Sequence, residues 1–446
     1  MTLATPPGDR SGYGLVIKNI LTGQRFDGLA FARYNSDTYG AFTFTKFGPV
    51  RFYQVADPDL AHEILVKRTD EFHKGIIKEV LQPFLGDGLL TSEGDFWKRQ
   101  RKLAQPAFHA RRIASYAGVM VEYTRRLLNG WRDGETRWID REMMKLTLGI
   151  VSKTLFDADV SAEADRVGEL MNSILDATNE RLTAVIRLPE YIPTPRRMQV
   201  KRITAELDAI IQRIVDERRR AGEDKGDLLS MLLTALDDDG SGMSDKQLRD
   251  ELMTLFLAGH ETTANTLIWA LVLLAQHPAA LTALHAEIES VLGSRDATFE
   301  DLPNLPYSEQ VIKETLRLFP TAPGVSRSPT HDLELGGYTV PKDAFMQISI
   351  YAMHHSSRYW QEPEAFRPER FAPEAEKLIP HYAYLPFGGG PRICIGNQFA
   401  MMEARLALIT LVQHADLSLD PAHPPVAEQM FTLRPRGGVK MVVRKR

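Results

Sequence analysis

The stretch "FGGGPRICIG", residues 387–396, holds the only cysteine in a chain of 446 residues. Cys394 sits among Gly388, Gly389, Gly390 and Gly396, behind Pro391 and Arg392, and just ahead of a helical pattern, "NQFAMMEARLALITLVQHA". A single thiol excludes an internal disulfide and any four-cysteine zinc or iron–sulfur site, and it suits a reducing compartment. Three roles stay open for Cys394: nucleophile, solitary metal ligand, or small buried hydrophobe. The surroundings favour an anionic sulfur. Glycines let backbone N–H groups wrap close, Pro391 fixes one turn, the following helix contributes positive potential, and Phe387 can shield the sulfur from water. A dinucleotide-binding reading fails on spacing, because GxGxxG from Gly388 would need glycine where Ile393 stands.

Outward from this loop, the chain reads as one continuous unit, mostly α with a small β portion. Residues 43–56 alternate like a strand pair leading into a helix, and helical periodicity then dominates to residue 318, with breaks at 86–88, 188–195 and 237–242. Residues 333–350 predict a hairpin, 362–387 a proline-rich aromatic coil, and "GGVKMVV" a closing strand. The longest helix starts at a capping box, Ser244 with Gln247, and runs to Gln276, where "HP" stops it. Its second half, "TLIWALVLLA", is apolar all round, which predicts burial on every side.

Composition bounds the function. The chain is 43% hydrophobic and 25% charged, with formal charge −4 and mean hydropathy −0.23, so no global field would gather nucleic acid. The N-terminal sequence has neither a basic n-region nor an apolar core, and no apolar run reaches the ~18 residues of a spanning helix. A cytoplasmic protein with no membrane span is expected.

Three further stretches carry chemistry. "AGHETT" (258–263) puts a helix-weakening Gly259, threonines able to bond back to carbonyls, and the costly Glu261 into a buried helix. That is either a kinked core helix or one loosened beside a ligand, with Glu261 and Thr262 as a proton route. "ETLR" (314–317) sets Glu314 and Arg317 on one helix face, and Arg370 in "FRPERF" could join them and pin coil to helix. "FWKRQRK" (96–102) aligns Trp97 with Arg101, an anion-donor pair, while Lys98, Arg99 and Lys102 project elsewhere.

Together and in this order, the four motifs resemble the cytochrome P450 family of haem-thiolate monooxygenases, over residues about 40 to 446; the match is weaker before 40. The resemblance implies the P450 fold as a single catalytic domain, with a long central helix over a buried haem b. It implies Cys394 as axial ligand of the haem iron, and Trp97, Arg101, Arg327 and Arg392 as partners of the propionates. Ala258, Phe387 and Gly396 would lie against the haem, and Glu261 and Thr262 would deliver protons to bound dioxygen. Glu314, Arg317 and Arg370 would be structural, and His260 a helix residue rather than a second ligand. Insertion of one oxygen atom of O2 into a lipophilic substrate follows, by hydroxylation or epoxidation, with NAD(P)H electrons arriving through a separate ferredoxin or flavodoxin and its reductase. Lys98, Arg99 and Lys102 would dock that acidic partner. The expected pocket residues, Phe256, Leu257, Gly324, Val325 and Phe431, suit a fatty acid, terpenoid or steroid-like molecule. A peroxide-driven peroxygenase and a non-catalytic haem binder or electron carrier are the alternatives; the Glu261–Thr262 pair argues against both.

Overall fold

A computed structural model describes residues 4–9, 27–47, 50–158, 164–183, 194–236 and 240–446. Most of the break expected at 188–195, and half of the one at 237–242, lie outside these residues. The chain forms two compact units, neither of them contiguous: residues 1–77, 313–394 and 427–434 make the first, and 78–312, 395–426 and 435–446 the second. No linker was legible because none separates them.

Unit one is built on a five-stranded sheet of β1 (Phe42–Phe47), β2 (Val50–Val55), β3 (Phe72–His73), β4 (Val325–Pro329) and β5 (Phe345–Ile348), in the order β1-β2-β5-β4-β3. β1 and β2 form the antiparallel pair that the alternation of 43–56 announced. The hairpin expected over 333–350 is divided: Leu333–Leu335 pairs with Tyr338–Val340, whereas β5 leaves to run parallel to β2 and antiparallel to β4. That exchange buries Met346 and Ile348 against Tyr53, Val55, Ile64 and Leu65, a larger apolar cluster than a longer hairpin could form alone.

Unit two is helical around a buried rod. Five helices carry numbers in chain order: α1 (Gly94–Ala104), α2 (Ile139–Phe156), α3 (Asp245–Gln276), α4 (Pro306–Leu318), whose residues from Lys313 on belong to unit one, and α5 (Asn397–His414). The capping box starts α3, with the Gln247 N–H donating to Ser244 Oγ and the Ser244 N–H to Gln247 Oε1. At 32 residues α3 is ~48 Å long. Both α2 and α5 pack on it. A methyl group on Gly259 would lie 3.1 Å from Val151 Cγ2, so this glycine lets α2 approach. A three-stranded sheet, Thr136–Trp138, Lys440–Lys445 and Ala415–Leu419, with the last strand at the other edge, closes the unit.

Residues 86–92 lie along α3 as a strap. The Asp87 N–H donates to Asp250 Oδ2 at 2.9 Å, and the Leu89 N–H to Glu251 Oε2 at 3.0 Å. Gly86, at φ +59°, and Gly88 have no room for a side chain, since a methyl group would meet Asp250 and Thr254 at 2.1 and 2.2 Å.

No single helix among the described residues is long and apolar enough to cross a membrane; only the pair 245–276 and 278–292, bent by 110°, meets the length and composition together.

Candidate active site

In unit one the cysteine loop is a set of tight turns. The Cys394 N–H donates to the Phe387 carbonyl at 3.0 Å and the Ile393 N–H to Gly390 at 3.1 Å, which brings Cys394 back beside Phe387. Gly388 and Gly390 take φ of +71° and +67°, a region costly for any residue with a Cβ. Gly390 is doubly constrained, since a methyl group there would lie 1.9 Å from the Leu65 carbonyl oxygen. Tyr382, itself at φ +65°, lies over Gly389, where a methyl group would meet its ring at 2.8 Å. Cys394 is exposed, and α5 begins three residues later. Phe387 and Arg392 are half-buried. Arg327, in β4, is buried and donates to the Ser326 carbonyl at 2.8 Å. Gly324 packs against the Gln347 side chain, and Val325 and Phe431 are half-buried.

The Glu314–Arg317–Arg370 cluster is the tightest polar assembly of unit one. Arg317 is fully buried and uses five donors on five bonds: two to Glu314, both 2.7 Å, and one each to the carbonyls of His354, Pro363 and Ala365. The Arg370 Nε–H and the Arg367 N–H donate to Glu314 Oε1, at 3.2 and 2.9 Å. Coil 354–371 is thereby tied to α4 by charge-assisted bonds. His354, which carried no sequence signal, donates from Nδ1 to the Arg317 carbonyl and accepts the Leu385 N–H on Nε2. Burial, followed by the charge of Arg317, drives its pKa well below that of an ordinary histidine and keeps it neutral.

In unit two every residue of α3 from 250 to 274 is buried except Ala258, Gly259 and Thr262. Ala258 is exposed in the middle of this rod. At ~100° per residue, Ala258 and Thr262 are ~40° apart, so they define one open face. Around it the backbone is loosened as the threonines predicted. The Thr262 hydroxyl donates to the Ala258 carbonyl at 2.8 Å, Thr263 to Gly259 at 3.3 Å and Thr266 to Thr262 at 2.9 Å. With its proton engaged, Thr262 Oγ faces a donor as an acceptor. From α2, the Thr147 hydroxyl lies 2.9 Å from the His260 carbonyl, a contact that no local pattern announces.

His260 donates from Nδ1 to the Phe256 carbonyl, and burial lowers its pKa to about 4, so it stays neutral. Phe256, read from sequence as pocket wall, is buried against Phe156 of α2, roughly opposite the open face, where its ring fills a helix interface. Leu257 is buried, next to Ala258. Glu403 of α5 was missed altogether. It is fully buried, and burial, opposed only by the Thr263 hydroxyl, raises its pKa well above the carboxylate range.

On α1, Trp97, Lys98, Arg101 and Lys102 line a cleft of about 390 Å3 with Gln105, Pro106 and His109. Indole and guanidinium thus share one wall, as their spacing of four predicted. Lys98, which pairs with the exposed Asp95, and Lys102 are exposed, and Arg99 donates to Ser241 and the Gly242 carbonyl. Gly396 has an ordinary φ of −93°, and a methyl group there would be 3.7 Å from Phe108.

Unit one thus presents a glycine-wrapped exposed thiol, and unit two a helix with one open, alcohol-bearing face and a cationic cleft with an indole. Comparison with known proteins gives the class. The cytochrome P450 family model matches residues 9–441. Cyclooctatin synthase of Streptomyces melanosporofaciens is 37% identical over 84% of this chain and 82% of its own length. Cyclooctat-9-en-7-ol 5-monooxygenase of the same organism is 36% identical over the same shares of the two chains. LUTEIN DEFICIENT 5 of Arabidopsis thaliana, a chloroplastic protein, is 33% identical over 92% of this chain and 73% of its own. The crystal structure of the cytochrome P450DA heme domain superposes with a TM-score of 0.89 at 28% identity, covering 100% of this chain and 98% of that one. The chain belongs to the cytochrome P450 family. It is accordingly an oxidoreductase of the monooxygenase class, and the family implies a haem iron.

Proposed function

We propose that the protein hydroxylates or epoxidises a lipophilic, ring-bearing substrate with one atom of O2, using electrons relayed from NAD(P)H by a ferredoxin or flavodoxin and its reductase. The observation that carries this reading is the open face of α3, where Ala258 and Thr262 break the burial of 250–274 beside Glu261. Cys394 would hold a haem, which would supply the oxygen chemistry. The chain's own groups do the rest. The loop turns and the start of α5 hold Cys394 as an anion. Trp97, Arg101, Arg327 and Arg392 neutralise the carboxylates of the cofactor, with Phe387 and Gly396 against it. Thr262 Oγ, whose hydrogen is directed at the Ala258 carbonyl, would accept a hydrogen bond from water, and the Glu261 proton would pass through that water and Thr262 to the O2 substrate, with Glu261 reprotonated from solvent.

Leu257, Val325, Gly324 and Phe431 are apolar positions for the substrate, and the relative named for cyclooctat-9-en-7-ol favours a cyclic unsaturated alcohol over a fatty acid. Lys98, Arg99 and Lys102 offer the docking charge for an acidic electron donor, in a cytoplasmic setting. A carbon monoxide difference spectrum of the reduced protein should show the thiolate band and lose it in Cys394→Ser. Turnover should need a ferredoxin system; equal turnover with peroxide alone would favour the peroxygenase reading, and none with either the electron carrier.

A further inference from the structure

Asn265 is completely buried on α3, and neither its Oδ1 nor its Nδ2 has a hydrogen-bond partner among the described residues. Its neighbours along the helix, Ala264, Leu267 and Ile268, are apolar and buried. An orphaned buried amide costs ~1–3 kcal/mol for each unsatisfied group, so a leucine would serve packing better. Nor does Asn265 take the escape used by Thr262, Thr263 and Thr266, which bond to the carbonyl four residues back.

Its place on the helix identifies the missing partner. Asn265 follows Glu261 by four residues and Thr262 by three, so at ~100° per residue it projects between them, ~40° from the first and ~60° from the second. Helical side chains lean toward the N-terminus, which carries the carboxamide back over the turn that holds the acid and the alcohol. An amide presents two donors and an acceptor and yields no proton near neutral pH. It can therefore hold a proton relay without entering it.

We propose that Asn265 is a positioning residue for proton delivery: its carboxamide fixes the water, and the Glu261 carboxyl, that feed Thr262. The inference rests on the proton route proposed above. Nδ2 is unbonded among the described residues, so it meets the Glu261 carboxyl once that side chain turns toward it, while Oδ1 accepts from the water. That water then has one hydrogen directed at Thr262 Oγ, whose own proton is held by the Ala258 carbonyl. The Glu261 proton passes to the water, a proton of the water to Thr262 Oγ, and the Thr262 proton, released from the Ala258 carbonyl, to the O2 substrate, while Glu261 regains a proton from solvent.

Asn265→Leu removes both polar atoms at similar volume, and Asn265→Asp retains the acceptor. In Asn265→Leu, reduced-cofactor consumption should stay within about twofold while the fraction ending as product falls about tenfold, the size of one buried hydrogen bond to a charged group, with peroxide making up the difference. The solvent deuterium isotope effect on product formation should change, and Asn265→Asp should recover part of the coupling. Independently of turnover, the infrared carboxyl band of Glu261, identified by its loss in Glu261→Gln, should shift in Asn265→Leu. Unchanged coupling, isotope effect and carboxyl band, with the thiolate spectrum intact, would overturn this role alone and leave a packing residue. Loss of the thiolate spectrum in the unaltered protein would overturn the parent reading with it.

Discussion

Replacing Glu251 with glutamine should remove a large pH dependence of stability. Glu251 is fully buried, and its one hydrogen bond comes from the Leu89 N–H, which leaves Oε1 without a partner among the described residues. Burial raises its pKa from 4.5 to about 8, with the charge of Asp250 adding to the rise and the Leu89 N–H opposing it. The folded protein therefore keeps a proton that the unfolded chain releases above pH ~4.5. The stabilisation is fully present below that pH, declines at ~1.36 kcal/mol per pH unit, and is gone above about pH 8, in all about 5 kcal/mol. Glutamine keeps an oxygen for the Leu89 N–H and cannot titrate. Urea unfolding of both proteins at pH 5 and pH 8 isolates the effect, since every other titration is common to the pair. The wild type should lose several kcal/mol relative to Glu251→Gln between the two pH values. A stability difference that stays the same at both would show that the site is wetter and the strap looser than its two N–H bonds indicate.

Arg317→Lys replaces a five-donor fork with a compact three-donor ammonium and leaves Glu314 and three carbonyls short of partners; chemical denaturation should show a loss of ~3–5 kcal/mol, and a loss below ~1 would contradict the fully bonded geometry. Gly390→Ala forces a methyl group onto the Leu65 carbonyl at positive φ and should lower the unfolding midpoint sharply in the cofactor-free protein, whereas Gly396→Ala, with only an ordinary contact to Phe108, should leave it nearly unchanged. Thr147→Val is isosteric and removes the hydroxyl beside the His260 carbonyl, at an expected ~1 kcal/mol in the same assay; no change would mean that the carbonyl is satisfied within α3 alone.

What could be read from the sequence was whatever depends on short spacing. The capping box of α3, the loosening threonines after Gly259, the turn glycines before Cys394 and the pairing of Glu314 with Arg317 are all written within a few residues, and the structure brings each together. Contacts between remote segments left no such trace. Nothing in "MMKLTLGIV" marks Thr147 for a carbonyl 113 residues away, and a lone glutamate in a helical stretch does not announce that Glu403 is buried with its pKa raised. The same holds for β5, whose alternation reads as hairpin but whose partner is β2, nearly 300 residues earlier. Phe256, expected as pocket wall, is two residues from Ala258 and so turned by ~200° from it, where it packs on Phe156.

The interleaving of the two units bears on biosynthesis. The sheet of unit one needs β4 and β5, from 325 to 348, and unit two closes on Lys440–Lys445, so neither can complete its hydrogen-bonded ladder until most of the polypeptide has left the ribosome. Helices such as α2 and α3 can form and pair as they emerge, but β1 and β2 must wait with one edge unpaired, which makes them the segments most in need of a chaperone during translation.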